Sequence, residues 1–109
     1  MRLASLTTCA VPVDKVRLYL LNHAHPDGAA KARFFAGFGY TDASVPAFVD
    51  ALIDHARDND IAERAVSRFG TRYVVTCNVK TPDGRDPCIV TVWIDEGSDQ
   101  ARLVTAYPR

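Results

Sequence analysis

The stretch "TRYVVTCNVKTPDGRDPCIVTVWID", residues 71–95, decides the fold class. Two runs rich in β-branched and aromatic residues flank Pro82-Asp83-Gly84. The proline fixes its own φ and the glycine supplies a left-handed position, so the pattern predicts a turn between paired antiparallel strands. Downstream, "EGSDQ" (96–100) marks the next turn and "ARLVTAYP" (101–108) a last strand. Upstream, "ERAVSRFG" (63–70) reads as a weaker first strand or a helix tail.

Successive side chains of a strand point to opposite faces. Tyr73, Val75, Cys77 and Val79 therefore share one face of their strand, and Cys88, Val90, Val92 and Ile94 one face of theirs. These apolar sets are expected to lie against helices. Thr76, Asn78 and Lys80, beside Thr91, Trp93 and Asp95, then fall on the opposite, open face. On the last strand Leu103, Thr105 and Tyr107 alternate with Arg102, Val104 and Ala106, and the first trio is expected on the open face. An exposed Trp and Tyr among hydroxyls suit a planar ligand or a partner surface. The plainer reading is a solvated sheet face, where threonine has good strand propensity.

The N-terminal half carries a different period. Val13, Val16, Leu20 and Leu21, with Tyr19 flanking, recur at helical spacing and predict a first helix just after Pro12. A second is expected to open at Pro26-Asp27-Gly28 and run to Gly37 or Phe38, with Gly39 as its stop. The third, "SVPAFVDALIDHARDN" (44–59), has Ser44 as N-cap and Pro46 in its first turn. The expected fold is α+β: two to three N-terminal helices (about 13–59) packed on one face of a three- to four-stranded antiparallel meander (about 63–107). The chain is expected to form a single domain, 1–109, because no linker or repeat divides it.

Apolar residues make up 48% of the chain and charged ones 24%, and 13 basic residues offset 13 acidic ones. The global basic charge of many nucleic-acid binders is thus absent, although local clustering can still serve such a partner. No apolar run reaches the roughly 18 residues of a membrane span, so a soluble, cytoplasmic protein is expected. Cys9, Cys77 and Cys88 form no CxxC pair and read as reduced thiols; a Cys77–Cys88 bridge would leave Cys9 over. The chain carries no GxGxxG, Walker, HExxH or GxSxG motif, and no cofactor is expected.

The functional reading rests on "HAHPDGAAKARFF", residues 23–35. On a helix, Lys31 stands with Phe34, Phe35 and Phe38 on one face, within the aromatic stripe and in the first turns, where the macrodipole disfavours a cation. Either its stem packs on the rings and its ammonium snorkels to water, or the ammonium is delivered to a cleft where it holds an anion. His25 precedes Pro26, at the mouth of the same helix. It either caps free helix N–H groups or serves as a general acid or base. His23 and His25 lack the further ligands a metal site needs, and no metal is expected. His55, late in the third helix, reads as a surface or satisfied core histidine.

"YLLNHAHPDGAAKARFFAGFGY", "TPDGRDPCIVTVWI" and "ARLVTAYP", in this order, resemble a family of small bacterial domains of unknown function. The resemblance covers most of the chain, and it implies the gene contexts of bacterial toxin systems. By layout the chain also resembles the barnase–EndoU–colicin–RelE group of metal-independent ribonucleases, with N-terminal helices before a four-stranded antiparallel sheet. That resemblance implies an active open sheet face with a basic residue from a preceding helix. His25, Lys31, Thr105 and Tyr107 become the expected catalytic residues, and Thr91, Trp93, Arg85 and Asn78 the expected substrate contacts. The base and acid would involve His25, Lys31 would stabilise the phosphorane, Thr105 or Tyr107 would orient the phosphate, and Trp93 would stack a base. Two readings follow: a ribonuclease-like toxin or effector domain acting on RNA, or a non-catalytic module that binds a protein, of the immunity or antitoxin type, through the sheet face or edge.

Overall fold

The computed structural model describes residues 1–109. The hairpin expected at Pro82-Asp83-Gly84 forms, joining β3 (Gly70–Asn78) to β4 (Cys88–Asp95). β2 (Ile61–Ser67) pairs antiparallel with β3, and β5 (Gln100–Pro108) antiparallel with β4. The segment at 63–70 is thus mostly strand, and a helix tail is excluded there. A short strand that the sequence did not announce, β1 (Thr8–Ala10), pairs parallel with β5. The sheet therefore has five strands in the order β1-β5-β4-β3-β2 and is mixed, where three or four antiparallel strands were expected.

The helices begin with α1 (Val13–Lys15), which continues as a π-helical turn, Val16–Leu20, closed by Leu21 N–H to the Val16 carbonyl at 2.9 Å. Next come α2 (Ala29–Ala36) and α3 (Val45–Asp58). α2 ends as predicted: Gly39 takes φ +105°, a conformation that only glycine adopts without strain, and its α-carbon lies against Pro82 of the hairpin turn. α3 starts with Pro46 in its first turn, but the Ser44 hydroxyl caps the preceding short 3-10 turn in a box with Thr41 instead of capping α3. On α3, Phe48, Leu52 and Ala56 are fully buried, and the Phe48 ring stacks on Tyr40 at 4.4 Å and meets Phe35 at 4.6 Å.

Register settles which sheet face meets the helices. Tyr73 lies opposite Trp93, Val75 opposite Thr91 and Cys77 opposite Ile89. Tyr73, Val75, Ile89, Trp93, Leu103 and Ala106 join the helices in the main core. Val74, Val90 and Val92 form a separate cluster. The expected orientation of β3 holds for Tyr73, Val75 and Val79, but that of β4 is inverted. Both alternating sets of "CIVTVWID" are apolar enough to be buried, and Thr91, taken as a mark of the open face, is instead satisfied by hydrogen bonds inside the core. Leu103, assigned to the open face with Thr105, is likewise buried, because β5 bulges opposite Val92 and Trp93 and breaks the simple alternation.

Candidate functional site

A cleft of about 650 Å³ opens where α1 and the π turn pass β5. Asp14, Lys15, Leu18, Tyr19, His25 and Arg102 line it, with Pro12. The segment His23–Gly28 folds back tightly: a Cβ on Gly28 would stand 2.2 Å from the Tyr19 carbonyl oxygen, so only glycine permits this approach. That contact sets the start of α2, and with it His25 and Lys31, beside Tyr19.

His25 caps the helix. Its Nδ1 accepts from the backbone N–H of Asp27 and of Gly28, each at 3.0 Å. With that lone pair engaged, the ring hydrogen sits on Nε2. The imidazole meets the Tyr19 ring edge-on, centroids 4.9 Å apart. Lys31 is half-buried and bends back along its helix: Nζ lies 3.5 Å from the Asp27 carbonyl and 5.2 Å from the Tyr19 ring centroid. Lys15 approaches the same ring at 5.3 Å. Two ammonium groups on one tyrosine make a cationic, aromatic-floored site in a chain whose net charge is zero.

From the sheet side comes Thr105. Its Oγ1 is buried and has no hydrogen-bond partner. The Tyr19 phenol is held below the ordinary tyrosine pKa, first by Thr105, then by the Lys31 ammonium and by Lys15, against a partial desolvation that acts the other way.

Of the expected catalytic residues, His25, Lys31 and Thr105 are therefore gathered around one side chain, Tyr19, which the sequence offered only as a flank of an apolar stripe. Tyr107 stands two residues beyond Thr105, opposite Val90, and is partly exposed.

The expected substrate contacts fare differently. Trp93 and Thr91 are fully buried and offer no surface for a base to stack on or bond to. Trp93 Nε1 donates to Thr91 Oγ1 at 2.8 Å, Thr91 Oγ1 lies 3.0 Å from His55 Nδ1, and His55 Nε2 lies 2.9 Å from the Cys77 carbonyl. The Cys77 carbonyl can only accept, so His55 Nε2 carries a hydrogen, and in the neutral ring Nδ1 accepts from the Thr91 hydroxyl. Burial pushes the His55 pKa down, partly opposed by its backbone hydrogen bonds and by Asp58. His55 is a satisfied core histidine.

Arg85 is a strut: it pairs with Asp83 at 2.6 Å, donates to the Gly37 carbonyl at 2.5 Å, and covers the Phe38 ring at 4.4 Å. It ties the hairpin turn to the end of α2. The Asn78 amide donates to the Asp86 carbonyl at 2.6 Å and is likewise committed to its own loop. All three cysteines are free thiols, and no three His, Cys, Asp or Glu side chains converge as metal ligands. A second groove, about 490 Å³, between the N-terminal turn and α3 holds Cys9, Arg57 and Asp99 but no such convergence on one group.

Comparison with known proteins adds two findings. A family model described as "Domain of unknown function (DUF6883)" matches residues 2–109. No curated protein matches the chain. Among solved structures, the chain is similar to one from a contact-dependent growth inhibition toxin–immunity protein complex of Klebsiella pneumoniae 342. The identity is 14%, the TM-score 0.76, and the match spans 98% of this chain and 97% of the other. At that identity the likeness is one of fold. No helix of the protein is long and apolar enough to cross a membrane.

Proposed function

We propose that this chain, which belongs to the DUF6883 family, is a metal-independent ribonuclease-like domain of the toxin or effector kind, acting at the Tyr19 cleft. One observation carries the reading: Lys15, His25 and Lys31 gather around the Tyr19 ring, the lysine nitrogens 5.3 and 5.2 Å and the imidazole 4.9 Å from its centre, and Thr105 comes to the same phenol from the far end of the chain. RNA cleavage without metal requires cations for the phosphate, donors for its oxygens and a group that moves the 2′-hydroxyl proton. Lys31 and Lys15 supply the cations. His25 Nε2–H supplies a donor, and Tyr107, further along β5, extends the surface a nucleotide would cross. The fold is shared with a chain of a toxin–immunity complex, a likeness of fold alone that suits either partner of such a system.

The experiment is product analysis. The purified protein in EDTA, given total cellular RNA and a defined oligoribonucleotide, leaves 2′,3′-cyclic phosphate ends, and a single 2′-deoxy nucleotide at the cleaved position abolishes the cut. Intact RNA after prolonged incubation, or equal cleavage of the 2′-deoxy strand, overturns the proposal.

A separate observation favours a second reading, a partner-binding module. β2 is a sheet edge with one side unpaired, and at its end Val66 and Phe69 are 73% and 70% exposed. Such an edge accepts an extended strand of a protein partner, such as one of the immunity type. Loss of partner binding on Phe69→Glu, with RNA left intact by the wild type, would establish this reading in place of the first.

A further inference from the structure

The cleft contains a tyrosine placed as a base would be, and this deepens the ribonuclease reading on which it rests. We infer that Tyr19, as its phenolate, takes the proton of the attacking 2′-hydroxyl, and that Lys31 protonates the leaving 5′-oxygen. Three features of the site point there. First, His25, the residue the sequence suggests for the role, has its Nδ1 occupied by two backbone N–H groups, so its other nitrogen carries hydrogen and has no lone pair to accept a proton. Second, the groups facing Tyr19 are chiefly donors and cations. They are Lys15 on α1, Lys31 on α2, His25 from the intervening loop, and Thr105 on β5. Arg102 of β5 shares the cleft but is paired with Glu96, and Asp14 is the one acid lining it. Third, the Thr105 oxygen is buried and has no hydrogen-bond partner, so its hydroxyl is committed to no other group.

The step balances without an added reagent. The 2′-O–H bond breaks and its proton passes to Tyr19 Oη, while the 2′-oxygen forms a bond to phosphorus. The bond from phosphorus to the 5′-oxygen breaks, its electron pair stays on that oxygen, and Lys31 Nζ supplies a proton to it. Tyr19 O–H then returns a proton to the neutral Lys31 amine beside it, restoring both groups. The products are a 2′,3′-cyclic phosphate and a 5′-hydroxyl, and nothing is oxidised or reduced.

The test compares pH–rate profiles of oligoribonucleotide cleavage for wild type, Tyr19→Phe, Lys31→Met and His25→Ala, each checked for folding by its melting temperature. Tyr19→Phe is expected to lose about 100-fold or more of the rate, the usual contribution of a positioned general base, and to lose the rise of rate with pH. Lys31→Met should move that rise to higher pH, because a neighbouring cation that favours the phenolate is gone. His25→Ala should lower the rate and keep the rise in place. A difference titration of tyrosine ultraviolet absorbance, wild type minus Tyr19→Phe, should show one phenol ionising below the ordinary range, at the pH of the kinetic rise. If Tyr19→Phe cleaves within about threefold of wild type, or keeps the rise, the assignment fails while the ribonuclease reading stands. Absence of cleavage by the wild type would overturn both.

Discussion

Replacing Trp93 by phenylalanine separates a core tryptophan from a surface stacking residue. Trp93 is fully buried, and its indole N–H is the donor that begins the Trp93–Thr91–His55–Cys77 chain of hydrogen bonds. Trp93→Phe would leave Thr91 Oγ1 without that donor, a loss of about 1 kcal/mol for a buried bond of this kind. The smaller ring would also leave a cavity where Tyr73 and Leu103 now pack across the strands, costing roughly 1–2 kcal/mol more. The sum, about 2–3 kcal/mol, corresponds to a fall in Tm of roughly 10–20 °C for a domain of this size. Urea unfolding followed by far-ultraviolet circular dichroism, together with a thermal melt, measures it. Because Trp93 is the chain's single tryptophan, its fluorescence gives an independent reading: blue-shifted emission that acrylamide quenches poorly. A stability change within about 0.5 kcal/mol, the range of ordinary surface substitutions, would contradict the buried, hydrogen-bonded placement of Trp93, as would an emission quenched like that of the unfolded chain.

Other perturbations follow from the same geometry. His55 is neutral and fully bonded when folded, with its pKa pushed down by burial, whereas in the unfolded chain it takes a proton near the ordinary value of about 6.5. Its contribution is therefore complete above that pH and is lost as pH falls toward the folded pKa, by at most about 1.4 kcal/mol per pH unit. Urea titrations from pH 8 to 5 should show that slope in the difference between wild type and His55→Gln; no difference in slope would count against the buried network. Gly28→Ala should lower stability by about 1–3 kcal/mol, because its Cβ collides with the Tyr19 backbone, and a melt unchanged from wild type would contradict that contact. Phe69→Ser, at an exposed hairpin end, should leave Tm within a few degrees of wild type and reduce any self-association seen in sedimentation.

The division into helices and then strands was legible because its punctuation is local. Gly39 stops α2, Pro46 opens α3, and Pro82-Asp83-Gly84 turns β3 into β4 through backbone preferences that need no tertiary partner. β1 escaped notice because three residues carry no readable alternation, and its pairing with β5 is parallel and distant. The facing of β4 is not legible in the sequence, because its strand is apolar on both sides. Only the register with Tyr73 and Val75, and the hydrogen bonds that make Thr91 a core residue, resolve the choice. Thr91 shows that a hydroxyl marks an exposed face only when the core offers it no partner. The cleft was half visible. Lys31 stood out as a charge in an aromatic stripe and His25 as a helix cap, and both descriptions hold together with a place beside Tyr19. Tyr19 itself could not be singled out, because nothing in its neighbours along the chain signals that Thr105 and two lysines will close around it.

Phosphoryl transfer in RNA at the charges gathered on Tyr19 is the activity proposed for the cleft. It is tested most directly by the cleavage rate of a defined oligoribonucleotide in EDTA, for wild type and Lys31→Ala measured side by side with their melting curves. Lys31 is half-buried beside Tyr19 and makes no salt bridge, so its truncation should leave the fold in place, with Tm within a few degrees. Wild-type cleavage that falls about 100-fold or more in a folded Lys31→Ala is the predicted result. A folded Lys31→Ala that cleaves as fast as wild type, or a wild type that leaves the strand intact, would contradict it.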